Sequence, residues 1–265
     1  MYNKFQLALK YVHYYITAAN GKGHGVHSPF VFDFITNVLN DRRNFYAFSN
    51  IEYMRGQWLH SDDVIEVQDL GAGSSVMQQK KRKISDIAKW SLKSRKYAQL
   101  LFRMVNYYQP KTIIELGTSL GITTAYLASA NREAAVYSFE GADAIAERAR
   151  AYFNKAGLQN IQLIKGNFDN TFLPALRKIN KVDFAFIDGN HRKEPTLRYF
   201  NQLLPYLHNS SIIIFDDIHW SQEMEDAWKE IKNSDVITCS IDLFFIGIVL
   251  ISKDFKAKQE FVVRF

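Results

Sequence analysis

Two apolar segments of the sequence end in acidic side chains. In DFAFIDGNH (183–191) the apolar run is followed by Asp188, and in IIIFDDIHW (212–220) it is followed by Asp216 and Asp217. If the two apolar runs are neighbouring parallel strands, these carboxylates converge at one sheet edge and repel each other unless a cation or protons neutralise them. Mg²⁺ takes oxygen ligands of this kind. We therefore predict a divalent-metal site here; the alternative is that Asp217 caps the next segment while Asp188 contacts only an organic ligand.

A glycine-containing turn follows an earlier apolar run. In IIELGTSLGITTAYLA (113–128), a predicted buried strand leads into a turn with Gly117 and Gly121 and then into a helix. Glycine allows the backbone to approach a ligand closely, and the first N–H groups of a helix are free to bind one. The next predicted strand, AVYSFE, ends in Glu140, which could hold the hydroxyls of a ribose at the same sheet edge. The turn alone is a weak motif, but together with Glu140 it predicts a nucleoside-containing ligand.

Five short motifs extend this pattern along the chain: ELGTSLG, SFEG, GNF, FIDGNH and IIFDDIHW. In this order they resemble the class I S-adenosylmethionine-dependent methyltransferases, most closely the small-molecule O-methyltransferases of the catechol type and their bacterial relatives. The resemblance covers residues 95–265. It implies a Rossmann-like α/β fold with a mostly parallel seven-stranded sheet, helices on both faces and an antiparallel C-terminal strand.

The resemblance also implies how S-adenosylmethionine is bound. In the family, the first loop holds the methionine part of the cofactor, the acid of the second strand holds the ribose, and the loop after the third strand contacts adenine. The cofactor-binding residues implied in this way are Glu115, Gly117, Ser119, Gly121, Thr123, Glu140, Asn167, Phe168 and Asp188. The cation-dependent members usually have Asn where this chain has Asp217, so the predicted Mg²⁺ site would carry an additional negative charge.

Histidines follow both acidic segments. The catechol-type pattern has a lysine three residues after the first metal-binding Asp, and here that position is His191. A neutral imidazole can accept a proton from an acceptor hydroxyl, so we predict His191 and Asp188 as the catalytic residues. His219 and Trp220 could line a substrate pocket; the alternative for either His191 or His219 is a hydrogen bond to a strand-end carboxylate.

Short β-rich runs alternate with amphipathic helical segments from residue 98 onward, a rhythm typical of parallel βαβ units. The predicted strands are 112–116, 135–139, 161–165, 182–187 and 211–215. The predicted helices are 122–130, 143–156, 171–178, 194–207 and 221–232. Two further β runs at 236–241 and 246–252 should pair antiparallel, and 261–265 could add an edge strand.

The N-terminal part of the chain has a different pattern. We predict a helical extension over residues 1–94 that caps the substrate site of a cofactor-binding domain at 95–265. Its first helix has apolar side chains spaced for one face, namely Phe5, Leu9, Val12 and Ile16. The pair Ser28 and Pro29 suits the start of a second helix.

A second glycine motif, VQDLGAGSS (67–75), also resembles a cofactor loop. The residues after it are basic and provide neither an apolar helix nor a second strand ending in an acid. We therefore interpret this motif as a loop or hairpin of the extension, which could close over the active site. The alternative is that it forms the cofactor loop itself.

The net charge of +6 raises the question of an anionic partner. Residues 79–96 contain eight Lys or Arg against one acid, which is typical of a solvated surface. We favour a small-molecule acceptor. One alternative is a nucleic-acid methyltransferase that uses residues 79–96, although the chain has FIDGNH where amino-directed DNA enzymes have an N/D-P-P-Y/F motif. The other is a noncatalytic cofactor-binding protein.

Composition also bounds the cellular context. Cys239 is the only cysteine, so no intramolecular disulfide can form, and we expect a cytoplasmic protein. Lys4 and Lys10 interrupt any apolar core of a signal peptide, and no apolar run is long enough to cross a bilayer. A homodimer is a further expectation, because the segment HYYITAA could pack against a partner as readily as on its own domain.

Overall fold

The structure is a computed structural model that describes residues 1–23, 26–67 and 80–265. The chain divides into two compact units. One comprises Met1–Asp41 and Asn180–Phe265, and the other comprises Arg42–Ile179. The predicted functional boundary at residue 94 stays a prediction.

The described helices are α1 (Lys4–Thr17), α2 (Pro29–Phe34), α3 (Tyr46–Leu59), α4 (Ile84–Ser91), α5 (Arg95–Tyr108), α6 (Ile122–Ala130), α7 (Asp143–Lys155), α8 (Phe168–Ile179), α9 (Lys193–Leu203) and α10 (Gln222–Asn233). A π-helical segment, Ile35–Leu39, follows α2, and a 3₁₀ turn, Leu204–Tyr206, follows α9. The described strands are β1 (Val64–Glu66), β2 (Lys81–Lys83), β3 (Thr112–Leu116), β4 (Ala135–Glu140), β5 (Ile161–Lys165), β6 (Phe184–Ile187), β7 (Ile212–Asp216), β8 (Cys239–Asp242), β9 (Ile246–Leu250) and β10 (Gln259–Val262).

The fold class agrees with the sequence prediction. The chain has a mixed α/β fold of the Rossmann-like type, with a mostly parallel main sheet and an antiparallel strand, β9, near its C-terminal end. The main sheet has eight strands where seven were expected, because β10 pairs with β8 and adds an edge strand. No helix of the described ranges combines the length and the hydropathy needed to cross a membrane.

The unit Arg42–Ile179 contains three parallel strands in the order β3, β4 and β5. Its strand β3 is buried almost throughout, and its sequence TIIEL is accordingly a nearly continuous apolar run. Leu116 of β3 lies opposite Phe139 of β4, and Glu140 lies opposite Lys165 of β5. Parallel strands end at the same edge of a sheet, so the loops after these three strands are neighbours.

The segment between α3 and α4 includes the second glycine motif. Strands β1 and β2 pair antiparallel, which agrees with the hairpin interpretation for the residues on both sides of the motif. Residues 68–75 of VQDLGAGSS lie outside the described residues.

The unit formed by Met1–Asp41 and Asn180–Phe265 has its strands in the order β10, β8, β9, β7 and β6. Strands β6 and β7 are parallel, and β9 is antiparallel to both β7 and β8. Gly247 of β9 lies under the indole of Trp228 in α10, where an added Cβ would lie 2.6 Å from Trp228 Cη2. Cys239 begins β8, and burial raises the pKa of its thiol to about 12.

The first helix forms as predicted, but it packs through a different face. The side chains that pack around Phe244 come from one stripe of α1 and its C-cap residue, namely Leu7, Tyr11, Tyr14 and Ala18. The Tyr14 hydroxyl donates a hydrogen bond to the Val263 carbonyl at 2.5 Å. The stripe that the sequence singled out is exposed: Phe5, Leu9, Val12 and Ile16.

The second helix, α2, begins as predicted. Ser28 is its N-cap residue and Pro29 is its first residue. The Ser28 hydroxyl makes no capping hydrogen bond and is buried without a partner among the described residues.

Candidate functional site

The turn after β3 has the backbone that the sequence predicted for a ligand loop. Gly117 has a φ of 104° and Gly121 a φ of 82°, and Ser119 between them also has a positive φ, 48°. At Gly121 an added Cβ would lie 2.5 Å from Phe153 Cε1, so a side chain at this position is excluded by space as well as by backbone angle. Gly121 is the N-cap of α6, whose next residues include the buried Thr123.

Glu140 is bonded directly to this turn. Its Oε2 accepts a hydrogen bond from the Ser119 N–H at 2.8 Å, and its Oε1 accepts one from the Ala142 N–H at 2.9 Å. The Phe139 carbonyl accepts hydrogen bonds from the N–H groups of Gly117 and Thr118, both at 3.0 Å. The turn and the acidic end of β4 are therefore hydrogen-bonded to each other, as the sequence predicted. Ribose binding by Glu140 stays a prediction.

The loop after β5 lies beside the same strand end. Gly166 has a φ of 117°, and its N–H donates to the Glu140 carbonyl at 2.9 Å. Asn167 immediately precedes α8; its carbonyl accepts the N–H of Thr171 and its side chain accepts the N–H of Asp169. Phe168 is the first residue of α8 and is partly exposed. Asn167 and Phe168 thus lie close to Glu140, which their predicted contact with adenine requires.

Glu115 in the middle of this region is fully buried. Its Oε2 accepts hydrogen bonds from the hydroxyls of Thr124 and Ser138, both at 2.5 Å, and Ser138 is also bonded to the Thr118 hydroxyl. Its Oε1 has no hydrogen-bond partner among the described residues. Burial raises the pKa of Glu115 to about 7, the two hydroxyls oppose this shift, and the charge of Glu140 adds to it. We call Thr118, Thr124, Ser138 and this carboxyl the Glu115 network.

The predicted acidic residues of the other unit follow two paired strands. Ile187 of β6 lies opposite Phe215 of β7, so Asp188 and Asp216 occupy equivalent positions at the strand ends. Asp216 is buried, and Asp188 is largely buried. Asp217 has a φ of 53°, and its N–H donates to the Phe245 carbonyl at 2.7 Å. Convergence of Asp188 and Asp216 at one edge therefore agrees with the sequence argument.

A metal site is not evident in this arrangement. In residues 1–23, 26–67 and 80–265, no group of three or more His, Cys, Asp or Glu side chains is placed so that it could hold a metal ion. Asp188, Asp216 and Asp217 therefore do not form a ready set of ligands here. Their assignment to Mg²⁺ stays a prediction.

The predicted general base, His191, is paired with Asp188. Its Nε2 lies 3.5 Å from Asp188 Oδ1, and its side chain is partly exposed. The carboxylate of Asp188 is thus close enough to orient the imidazole. His191 lies two residues before α9, at the same end of β6 as Asp188.

A second His–Asp pair lies at the opposite end of the same strand. His208 Nε2 is 2.7 Å from Oδ1 of Asp183, which immediately precedes β6. The side chains of His208 and Asp183 are also partly exposed. The two pairs contain the same residue types, but ligands of open α/β sheets bind at the carboxyl ends of strands, where only Asp188 and His191 lie.

His219 is bonded to two carboxylates. Its Nδ1 is 2.9 Å from Glu225 Oε1, and its Nε2 is 2.8 Å from Oδ2 of Asp242, the last residue of β8. Burial alone would lower the pKa of His219, but the hydrogen bonds and charges of Asp242 and Glu225 outweigh it and raise the pKa. The alternative of a bond to a strand-end carboxylate is therefore confirmed for His219.

Glu225 connects His219 to the N-terminal helix. Both oxygens of Glu225 lie 3.0 Å from Lys10 Nζ, and Oε2 also accepts the Tyr2 hydroxyl at 2.8 Å. We call Tyr2, Lys10, His219, Glu225 and Asp242 the His219 network. Sequence analysis missed its two carboxylates, although the first turn of the predicted helix at 221–232 contained Glu225.

Comparison with known proteins identifies the region around the β3 turn. A family model described as a methyltransferase domain matches residues 114–218, which run from β3 to the acidic turn after β7. Residues 114–218 therefore resemble a methyltransferase domain. The predicted family resemblance is thereby confirmed.

Individual relatives of the methyltransferase domain agree. A protein of Mycobacterium tuberculosis named probable O-methyltransferase is 33% identical over 128 residues, which are 45% of this chain and 54% of that protein. The chain spans about half or less of the length of the curated relatives it matches.

Solved structures share the fold at low identity. An SAH-bound methyltransferase of Podospora anserina superposes with a TM-score of 0.59 at 13% identity, covering 96% of this chain and 98% of that one. An O-methyltransferase of Bacillus cereus in complex with SAH gives a TM-score of 0.54 at 17% identity, covering 83% and 97%. At these identities the likeness concerns the fold alone.

Proposed function

We propose that the protein is an S-adenosylmethionine-dependent methyltransferase that methylates an oxygen atom of a small molecule. The observation that carries the proposal is the bond between the Ser119 N–H and Glu140 within the methyltransferase domain. It brings a ligand-type turn and a strand-end acid together at the sheet edge where nucleoside ligands bind in this class of fold. The name of the Mycobacterium relative supports oxygen as the atom methylated.

The residues of the β3–β5 edge fit this cofactor. Oε1 of Glu115 is a buried acceptor without a partner in the described chain, so a bound ammonium group could satisfy it. The backbone at Gly117 leaves room for close approach of the methionine part, and Glu140 could accept ribose hydroxyls with its remaining lone pairs. In this proposal Ser119, Gly121 and Thr123 complete the methionine site, Asn167 and Phe168 contact adenine, and Asp188 also contacts the cofactor.

The cofactor supplies a methyl group on a positively charged sulfur, which an oxygen nucleophile attacks in line. The chain's part is to hold the acceptor and to remove its proton. His191 takes the proton from the acceptor hydroxyl, and Asp188 orients the imidazole and stabilises the imidazolium that forms. Direct transfer of the methyl group to the acceptor oxygen would need no covalent intermediate with the protein. Positioning accounts for most of the expected rate gain.

Calorimetry with S-adenosylmethionine tests the cofactor site. A Glu140→Ala protein should bind the cofactor at least tenfold more weakly than the unchanged protein, because the ribose loses a charged partner. Glu133→Ala is the matched control, since Glu133 is an exposed acid of the same unit and begins no ligand loop. Equal affinity of the Glu140→Ala and unchanged proteins would remove the ribose assignment.

The catalytic assignment is tested by comparing the two His–Asp pairs of β6. A panel of phenols and catechols is incubated with methyl-labelled cofactor, and turnover is measured for any acceptor found. His191→Ala should lower kcat by about 10²- to 10⁴-fold with unchanged cofactor affinity, whereas His208→Ala should retain kcat. Equal kcat for both variants would exclude His191 as the base.

The same assay separates the alternatives for acceptor and metal. Label in RNA or DNA but in no small molecule would overturn the proposed acceptor class, and cofactor binding without any transfer would indicate a noncatalytic protein. Magnesium assistance by Asp188, Asp216 and Asp217 predicts that a chelator abolishes turnover and that Mg²⁺ restores it. Turnover that persists in the chelator would remove the metal assignment.

A further inference from the structure

Helix α1 has two apolar stripes with the same spacing. The inner stripe, Leu7, Tyr11, Tyr14 and Ala18, packs around Phe244. The outer stripe consists of Phe5, Leu9, Val12 and Ile16. Within each stripe the residues follow one another at intervals of four, three and four. A helix that is apolar on two faces normally buries both, and here only the inner face has a partner in the described chain.

The inner stripe and its polar neighbours fix the orientation of α1. The Tyr14 hydroxyl bonds to the Val263 carbonyl, and Lys10 is paired with Glu225. The N–H of Ala19, just beyond the helix, donates to the Val262 carbonyl at 2.8 Å. These contacts hold the outer stripe away from its own unit, so no small rotation of α1 would bury it.

The outer stripe is highly exposed. The exposed fractions are 72% for Phe5, 55% for Leu9, 53% for Val12 and 70% for Ile16. Scattered exposed apolar residues are ordinary, but a continuous row over three helical turns is typical of an interaction surface. Intervals of four and three residues are those of a helix–helix seam.

We propose that the outer stripe of α1 is the interface of a symmetric dimer in which the α1 helices of two copies of this chain pack antiparallel. The positions that flank the stripe are Gln6, Ala8, His13 and Tyr15, and they include no Lys, Arg, Asp or Glu. A second copy therefore meets no row of opposing like charges on the flanks of the seam. Antiparallel pairing about a twofold axis places residue 9 of one copy beside residue 12 of the other.

Charge favours the antiparallel direction. Lys4 is in the first turn of α1, and the last turn has no basic residue. Antiparallel pairing brings Lys4 of one copy to the C-terminal end of the other α1, where the helix dipole favours a positive charge. Parallel pairing would bring the two Lys4 side chains together.

An anionic membrane fits the stripe less well. Interfacial helices combine an apolar face with a polar face rich in Lys and Arg. In α1 the basic side chains are Lys4 and Lys10, and Lys10 is already paired with Glu225. A seam of four side chains buries on the order of a few hundred Å² per copy, so we expect a dimer that dissociates at micromolar concentration.

Sedimentation over a concentration series tests the proposal. The unchanged protein should be monomeric at about 1 µM and dimeric at about 200 µM, and the equilibrium should depend little on salt because the seam is apolar. Leu9→Glu and Ile16→Glu should each raise the dissociation constant at least tenfold. Val236→Glu is the control, because Val236 is an exposed apolar residue of the same unit outside α1 and its replacement should leave the equilibrium unchanged.

Cross-linking tests the direction of packing. Cysteines at both Leu9 and Val12 should form an interchain disulfide on mild oxidation, whereas a cysteine at Leu9 alone should not. The native Cys239 does not interfere because it is buried and its thiol pKa is raised. Circular dichroism of each variant reports whether the fold is retained, which is expected because the replaced side chains are exposed.

Three outcomes would overturn the proposal. The first is a monomer at every concentration up to about 200 µM. The second is a dimer that Leu9→Glu leaves unchanged. The third is a monomer that binds phosphatidylglycerol vesicles, but not phosphatidylcholine vesicles, through the same residues; it would assign the outer stripe to a lipid surface.

Discussion

Two polar networks, a buried one in one compact unit and a partly buried one in the other, satisfy their charges in different ways. In the Glu115 network a single carboxyl is surrounded by hydroxyl groups, and one of its oxygens has no partner among the described residues. In the His219 network an imidazole lies between two carboxylates, and Lys10 and Tyr2 complete the set around Glu225. A buried acceptor that lacks a hydrogen-bond partner can receive one from a ligand. Charged groups that are already paired with one another instead stabilise the fold. From this difference we propose that the first network binds the ligand and that the second supports the N-terminal helix.

The largest expected effect comes from opening the closed network. His219→Ala leaves Glu225 without its imidazole and Asp242 without the partner of its Oδ2. We expect the free energy of unfolding to fall by about 3 kcal/mol, measured by urea unfolding, because a partly buried charge set loses its central member. His208→Ala, which removes a histidine that pairs with one carboxylate rather than two, should cost less than about 1 kcal/mol. An equal fall in unfolding free energy in the two variants would show that His219 stabilises the fold no more than His208 does.

The pH dependence of stability should differ between the networks. The pKa of Glu115 is about 7 in the folded protein and has an ordinary value of 4.5, so between these values only the folded state keeps the proton. Stability from this group is therefore full below pH 4.5 and lost as the pH rises to about 7, by about 3 kcal/mol in total. Glu115→Gln should remove that loss, measured as unfolding free energy at pH 4.5 and pH 8. An unchanged pH profile would contradict the raised pKa.

The pKa of His219 is also raised, so its contribution to stability falls with rising pH, as that of Glu115 does. Its contribution is full below the ordinary value of 6.5 and is lost as the pH rises through the folded-state pKa. His219→Gln should therefore flatten the profile above pH 6.5 and leave the lower part, which belongs to Glu115, in place. Flattening of the lower part by this variant would show that the two networks are coupled.

Cofactor affinity should depend on the protonation of Glu115 if its free oxygen receives the cofactor ammonium. The charged carboxylate binds an ammonium best, so affinity should be about tenfold weaker one pH unit below the pKa. Calorimetry in buffers of different ionisation enthalpy should then detect proton release on binding near pH 6. Glu115→Gln should bind more weakly and without this pH dependence, and a retained dependence would assign it to another group.

The smallest effect is expected at the edge of the His219 network. Lys10→Met removes an ion pair that is about one-third exposed at the lysine, and we expect a loss below about 1 kcal/mol. The loss should shrink in 1 M salt, because exposed pairs are screened. A loss as large as that of His219→Ala would mean that the anchoring of α1, rather than the imidazole, dominates the network.

Much of the methyltransferase domain could be predicted from sequence because its information is local. The segments TIIEL and IQLIK are β-rich runs of strand length, and the predicted strands at 112–116 and 161–165 match β3 and β5 at both ends. The contact between Glu140 and the Gly117 turn follows once these strands are parallel neighbours. The alternation of strand and helix in the sequence indicated that these strands are parallel.

The features that could not be predicted depend on distant parts of the chain. His219 has partners in α10 and at the end of β8, and Lys10 joins them from α1, so no local pattern links the four. The two stripes of α1 have identical spacing, and periodicity therefore could not tell which one faces Phe244. The sequence predicted that Phe5 and Leu9 face the core. The residues that do so include Tyr14, whose buried hydroxyl donates a hydrogen bond to the distant Val263 carbonyl.

The edge strand β10 has a consequence for protein engineering. It covers one side of β8, whose residues are buried throughout, and its own side chains alternate between half-buried and exposed. Trimming the chain before residue 259 would leave β8 with a row of unpaired amides on an apolar strand, a template for aggregation. Shortened versions of this protein should therefore be insoluble for a reason unrelated to catalysis, and affinity tags are better attached beyond β10 than in place of it.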